Sequence, residues 1–256
     1  MKPDEFLGKR ALVTGAASGI GRAVTRMIAS HGGTVGCLDV DGDGLHETAS
    51  QLADHATGQR IATAKVDVTD AVGVSRAIDE LGFGTVDLLF NVAGIIMTKP
   101  LASCDVDDLE RVMRINVGSI ITMTSVAVPL MPRGGVIINT SSTSALHYAT
   151  GSGIYGASKA AINHITKCLA NELSESGIRV CAVGPGGVDT PMPRRLAAEM
   201  GVDPESTVKA AVAKSQLIPD LARPEEIAAA MGYLASEDAR MCTGSTLWID
   251  GGANVR

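Results

Sequence analysis

No cluster of lysine and arginine occurs along the 256 residues, and the net charge is −6. A nucleic-acid binder needs a basic face to neutralise phosphates, so that class of partner is excluded and small molecules are expected instead. Cysteine is sparse and ill-spaced. Cys37, Cys104, Cys168, Cys181 and Cys242 are odd in number and never fall as CxxC, which argues against a disulfide framework or a zinc site. They read as buried thiols. The opening MKPDEFLGKR lacks the apolar stretch of a signal peptide, and IITMTSVAVPLM is too short and too rich in hydroxyls to span a bilayer. The expectation is a cytoplasmic protein with no membrane partner. Aromatic residues make up only 3% of the chain, three of them tyrosines, so the position of each tyrosine carries information.

What is present is a globular composition, 45% hydrophobic and 20% charged, which excludes a disordered chain. The length is near the upper limit for one hydrophobic core, so residues 1–256 are expected to form a single domain. Short β-branched runs (RALVTG, TVGCLDV, RIATAKVDV, VDLLFNVAG, GVIINTSS, IRVCAVGPG and STLWIDGG) alternate with helix-length segments. This alternation predicts an α/β fold, a doubly wound, Rossmann-like parallel sheet of about seven strands with helices on both faces. Ligands of such sheets bind beyond the carboxyl ends of the strands. Residues 187–222 interrupt the pattern with four prolines and mixed helical pieces, as expected of an inserted lid over a substrate.

The stretch LVTGAASGIGRAV leads from the first strand into a helix through Gly15, Gly19 and Gly21. Glycines allow a tight turn and close approach to a ligand, and the N–H groups at a helix start attract pyrophosphate. Asp39 ends the next strand, 18 residues past Gly21, where a carboxylate accepts hydrogen bonds from both adenosine-ribose hydroxyls and repels the 2′-phosphate of NADP. NAD is therefore the expected cofactor. DVDGDG, with Asp39, Asp41, Asp43 and Gly44, imitates the first half of a calcium loop, but position 12 is Ser50 rather than glutamate. No metal is expected, and Asp41 and Asp43 are read as the start of the next helix.

In SGIYGASKAAINH, Tyr155 and Lys159 stand four apart, which places them on one helix face. A free phenol has a pKa of about 10 and is a poor base at neutral pH. A cation roughly 5 Å away at an effective dielectric of about 20 favours the phenolate by on the order of 3 kcal/mol, about two pKa units. Lys159 is placed to supply that charge, and the positive ring of an oxidised nicotinamide would act in the same sense. The preceding strand ends in VIINTSSTS, bringing Ser141, Ser142 and Ser144 to the same crevice, where one hydroxyl should orient a substrate oxygen. Spacing alone does not choose among them. No GxSxG elbow surrounds these serines, which argues against a nucleophile.

These motifs together resemble the short-chain dehydrogenase/reductase family from about Lys9 to Gly252. TGAASGIG matches the family's TGxxxGIG, NVAG stands where NNAG is usual, and YGASK matches YxxxK. The resemblance implies Tyr155 as acid–base, Lys159 as its electrostatic partner and ribose anchor, Ser142 as ligand of the substrate oxygen, and Asn116 as holder of a water that links Lys159 to solvent. An asparagine inside a helix suits that role, since its side chain competes for backbone groups and frees a carbonyl. The resemblance also implies cofactor contacts at Gly15, Ser18, Gly19, Ile20 and Gly21, at Asp67 and Val68 beside adenine, at Asn91, Ala93 and Gly94, and at Pro185, Gly186, Val188 and Thr190 around the nicotinamide. Val92 for the second Asn of NNAG and Cys181 for the usual Asn before AVGPGG are departures expected to weaken local hydrogen bonding. A homotetramer is implied as well, with Ile165, Cys168 and Leu169 as an apolar helix face.

His31, His46 and His55 read as surface residues, and His164, nine residues past Tyr155, turns away from it in a structural role. His147 and Tyr148 lie between Ser142 and Tyr155 within reach of substrate. With Ser142, Ser144 and Tyr155 they complete a polar rim, while Met97, Met192, Leu196 and Met200 give the pocket an apolar lining suited to a hydrophobic or alicyclic alcohol. The reading is an NAD-dependent oxidoreductase that interconverts a secondary alcohol and its ketone. An NADPH-dependent 3-oxoacyl-thioester reductase and a non-catalytic dinucleotide sensor are the alternatives.

Overall fold

All seven apolar runs form strands of one parallel sheet: β1 (Arg10–Thr14), β2 (Thr34–Asp39), β3 (Ile61–Lys65), β4 (Leu88–Asn91), β5 (Val136–Thr140), β6 (Arg179–Pro185) and β7 (Thr246–Ile249), in the order β3-β2-β1-β4-β5-β6-β7. The computed structural model describes residues 2–53 and 61–255, so His55 lies outside the described residues. Alternation along each strand feeds two cores. Ala11, Val13, Phe90, Val136 and Ile138 face one side, where α1 (Gly19–Ser30) and α9 (Pro224–Ala235) cover them; Leu12, Leu89 and Ile137 face the other, against α3 (Ala71–Leu81) and α5 (Ser119–Ala127). Fully buried side chains such as Phe90 and Ile138 each contribute roughly 1.5–3 kcal/mol of transfer free energy. The strand order reverses between β1 and β4, which opens a crevice at their carboxyl ends.

Local chemistry sets the helix ends. Asp41 Oδ1 accepts from the Gly44 N–H at 3.1 Å, so Asp41 and Asp43 open α2 (Gly42–Ala53) as the sequence reading expects. Asp70 caps α3, and Gly82 ends it at φ 70°. The Arg179 guanidinium donates to the carbonyls of Leu234, Ser236 and Cys242, closing α9.

Three sequence expectations need correction. His31 is half-buried rather than free on the surface: its Nδ1 lies 2.7 Å from the Met27 carbonyl oxygen at the end of α1, and its ring meets Phe6 edge-on. Of the five thiols only Cys37 and Cys181 are buried, and Cys168 is exposed. The run around IITMTSVAVPLM belongs to a continuous helical segment, Val106–Leu130, that is long and apolar enough to cross a membrane by length and composition. Its apolar character is partly used inside the fold, because Met123 and Ala127 pack into the second core.

That segment is not uniform. It comprises α4 (Val106–Met113), a π-turn at Arg114–Gly118 and α5, with Asn116 inside the wide turn. After α6 (Gly153–Glu172) and β6, residues 187–222 hold α7 (Pro191–Glu199) and α8 (Pro204–Ser215). Arg194 ties them together, pairing with Asp189 and with Glu205, which also pairs with Lys209.

Candidate active site

The glycine turn lies where β1 meets α1. Gly15 has φ 68°, and a Cβ there would lie 2.9 Å from the Ala93 nitrogen, so the first turn and the NVAG stretch after β4 press together at the crevice. A Cβ on Gly21 would stand 2.6 Å from the Gly15 carbonyl carbon and nearer still to its oxygen. Ser18 stands at the N-cap of α1 without a side-chain cap bond, and the first turn carries no acidic residue, an arrangement that suits an anion. Ser18 is exposed, with Gly19 and Ile20 half-buried beside it. Thr14 Oγ1 accepts from the N–H groups of both Val92 and Ala93 at 3.0 Å, which keeps hydrogen bonds in NVAG despite the valine.

Asp39 holds one carboxylate oxygen 3.0 Å from the Ala17 N–H and the other 3.0 Å from the Asp41 N–H. Its orientation is thus fixed at the lip of the glycine turn. Arg22, the cation nearest the turn in sequence, grips Glu47 in a fork and donates to the Ala17 carbonyl. These residues fit the adenosine and pyrophosphate of a dinucleotide. Asp67 stands exposed after β3, its carboxyl held below the usual range by the Thr69 N–H and hydroxyl, while Val68 is buried. Asn91 is buried, its amide donating to Asn139 Oδ1 at 2.9 Å; Asn91 Oδ1 has no protein partner. Its side chain therefore faces the interior.

On the other side of the crevice, Tyr155 and Lys159 share one face of α6, with the ammonium 5.6 Å from the centre of the phenol ring. Lys159 is only 5% exposed, and its Nζ donates to the Thr140 carbonyl at 2.8 Å. Gly94 flanks it: a Cβ there would lie 3.1 Å from Asn116 Oδ1 and 3.7 Å from Lys159 Nζ. The three serines separate by geometry. Ser141 is buried and donates to the Lys159 carbonyl, Ser144 gives its N–H to Ser142 Oγ, and Ser142 hydrogen-bonds the Tyr155 side chain. Gly156 lets this loop approach α6, because a Cβ there would meet the Ser144 carbonyl oxygen at 2.6 Å.

Asn116 differs from expectation in its partners. Its side chain bonds both main-chain groups of Ile95, at 2.8 and 3.0 Å, and donates to Ser158 Oγ at 3.0 Å. It bridges the loop after β4 to α6 instead of competing for the backbone of its own helix. Ser158, absent from the sequence reading, passes the link on by donating to the Tyr155 carbonyl at 2.6 Å. It is fully buried, and the sequence offered only its place beside Lys159 in YGASK as a signal.

The electrostatics also qualify the expectation for the pair. Burial pushes the Tyr155 phenol up from its ordinary value, with the Ser142 hydrogen bond acting against it, and burial lowers the Lys159 ammonium to about 8. Within the protein alone, desolvation outweighs the Ser142 hydrogen bond. At pH 7 about nine in ten Lys159 side chains still carry the charge. Because the folded pKa lies below the unfolded one, the cost is full below pH 8 and is relieved as pH rises from about 8 to 10.5. Chemical denaturation of wild type and Lys159→Met should therefore show wild type gaining about 2 kcal/mol on the variant between pH 7.5 and 9.5. Parallel curves would mean that the ammonium is not desolvated.

Around this centre, Pro185 ends β6, Val188 is buried, and Thr190 stands at the start of α7. Met97, Met192 and Leu196 are half-buried, whereas Met200 and His147 are exposed and Tyr148 is 100% exposed. His46 and His164 are exposed as well. Cys181 replaces the expected amide contact with a weak one, Sγ to the Cys242 carbonyl at 3.3 Å.

Comparison with known proteins gives the same picture. A family model described as enoyl-(acyl carrier protein) reductase matches residues 15–254. The cis-4-hydroxycyclohexanecarboxylate dehydrogenase of Sinomonas cyclohexanicum is 37% identical, over 97% of this chain and 98% of that protein. The 3-oxoacyl-(acyl-carrier-protein) reductase of Thermotoga maritima is 34% identical, over 96% and 97%. A short-chain dehydrogenase from Burkholderia cenocepacia, solved in complex with NADP, superposes with a TM-score of 0.88 at 31% identity, over 98% of this chain and 99% of that one. With its sheet order, its glycine turn and its Tyr–Lys helix accounted for, the chain belongs to the short-chain dehydrogenase/reductase family of oxidoreductases.

Proposed function

We propose that the protein is an NAD(H)-dependent oxidoreductase that interconverts a secondary alcohol, hydrophobic or alicyclic, and its ketone. The observation that carries this reading is the meeting of the Tyr155 phenol, the Ser142 hydroxyl and the buried Lys159 ammonium in one crevice. When bound, a nicotinamide dinucleotide would supply the acceptor for the carbinol hydrogen and its electron pair. Ser142 donates a hydrogen bond to the substrate oxygen, and Tyr155 takes the hydroxyl proton in oxidation and returns it in reduction. Lys159 favours the phenolate by its charge, and Asn116 braces the loop and helix that carry the pair.

The glycine turn from Gly15 to Gly21, with Ala93 and Gly94, would seat the pyrophosphate, Asp67 and Val68 the adenine, and Pro185 to Thr190 the nicotinamide. Residues 187–222 act as a lid, and Met192 and Leu196 on α7 line the substrate side. Lys99 is paired with Asp108 and Arg194 with Asp189, so neither cation is free to hold an anionic substrate. An apolar lining by Met192 and Leu196 suits a hydrophobic alcohol, and the name of the Sinomonas relative, whose substrate is a hydroxycyclohexane bearing a carboxylate, supports the alicyclic ring alone. Assembly as a homotetramer belongs to the same reading. A binding-only sensor would have no use for a Ser142 hydroxyl set against the Tyr155 phenol beside the Lys159 ammonium.

The second reading, an NADPH-dependent 3-oxoacyl-thioester reductase, is favoured by the Thermotoga relative and by the NADP in the Burkholderia structure. Asp39 argues against it. Two like charges about 5 Å apart at an effective dielectric of about 20 repel by roughly 3 kcal/mol, and partial exposure reduces this to about a tenfold effect or somewhat more. Asp39→Ala should shift the NADP/NAD ratio of kcat/KM at least tenfold towards NADP, measured with a panel of secondary alcohols by reduced-cofactor absorbance. An unchanged ratio would remove the cofactor assignment, and activity confined to 3-oxoacyl thioesters with NADPH would favour the second reading.

A further inference from the structure

The segment 187–222 leaves β6 and returns to α9, and its return is knitted to both neighbouring strand ends. The Ala222 N–H donates to the Gly187 carbonyl and the Asp189 N–H to the Ala222 carbonyl, each at 2.9 Å; the N–H groups of Leu217 and Ile218 donate to the Gly251 carbonyl beyond β7 at 2.8 and 2.9 Å. Between these seams lies Gln216, 4% exposed. Its Oε1 accepts from the Gly187 N–H at 2.6 Å, and its Nε2 donates to the carbonyls of Ile218 and Asp220 at 3.1 and 2.9 Å. Glycines make room for it: a Cβ on Gly186 would come within 2.5 Å of its oxygen, and one on Gly251 within 2.8 Å of its nitrogen.

The turn that Gln216 holds occupies a particular place. β6 lies beside β5, and the Ser141 N–H donates to the Val183 carbonyl, so the turn begins next to Ser142. It ends at Thr190, whose methyl group would stand 3.0 Å from a Cβ on Gly19. A dinucleotide lying from the phosphate turn to the reactive hydroxyls must run along this turn, with its reacting ring at the Ser142 end. We infer that Gln216 is a positioning residue: its carboxamide locks the Gly186–Val188 turn to the returning end of the lid and so sets the seat of the nicotinamide half. The inference rests on the dinucleotide reading above.

A glutamine suits the task because one neutral planar group must accept from one side and donate to two carbonyls on the other. Gln216→Glu keeps the shape and the acceptor but turns a carboxylate towards two carbonyl oxygens; protonation restores one donor. The test is calorimetric titration of wild type and variant with NAD and with ADP, which carries the adenosine and pyrophosphate but neither the second ribose nor the nicotinamide. Expected at pH 8 are ADP Kd values within twofold of each other and a loss of tenfold or more for NAD in Gln216→Glu, recovering at least threefold at pH 6. Gln216→Met, of similar length and uncharged, gives the same ligand comparison should the Glu variant not fold. No loss for NAD, or an equal loss for both ligands, overturns the inference while the dinucleotide reading stands. Failure of wild type to bind either ligand overturns both.

Discussion

Tyr155→Phe should lower turnover by about 10² or more while leaving the Kd for NAD within about twofold. The substitution removes a single oxygen. The ring, its packing beside Lys159 at 5.6 Å and the main-chain bond from Ser158 are retained, so the loss would belong to proton transfer and not to a disturbed helix. Turnover and kcat/KM should fall together, because the phenol does its work in the transition state. Steady-state kinetics with an alicyclic alcohol, paired with fluorescence titration of the cofactor, reads both quantities. Near-wild-type turnover would end the proposed chemistry.

The largest structural effect is expected at Gly21→Ala. The added methyl would meet the main chain of Gly15 and Ala16, which no rotamer can move aside, so the turn itself must shift. A cost of about 3 kcal/mol corresponds to a fall in Tm of roughly 6–10 °C for a chain of this size. The displaced N–H groups of the first turn of α1 should weaken NAD binding at least tenfold. Differential scanning calorimetry and titration of the same sample check both, and a variant with unchanged Tm and affinity would show that the turn yields at no cost.

Most of the sheet was legible because a parallel strand buried on both faces is apolar along most of its length, as in β1, β4 and β6, whereas the half-exposed edge strand β3, IATAK, was marked by its place in the alternation. Asp39 and the Tyr155–Lys159 spacing were legible for a related reason: their chemistry lies within one strand end or one helical turn. What stayed hidden depends on distant partners. Asn116 finds Ile95 across 21 residues and Ser158 across 42, and Gln216 finds Gly187 across 29. No local pattern announces such bonds. Spacing alone did not choose Ser142 over Ser141 and the family resemblance had to, since the difference turns on which hydroxyl faces the phenol and which faces the interior.

The wide turn at Arg114–Gly118 has a consequence for the whole segment around it. An α-helix advances about 100° per residue, and the π-turn absorbs one residue beyond that count, so α4 and α5 run out of phase with each other. The likeness of Val106–Leu130 to a bilayer helix comes from length and composition, with the apolar residues concentrated in α5 (SIITMTSVA) and not in α4 (VDDLERVM). Deleting Asn116 from the wide turn should restore a straight helix and keep Met123 and Ala127 against the sheet they seal, at the cost of the bonds to Ile95 and Ser158.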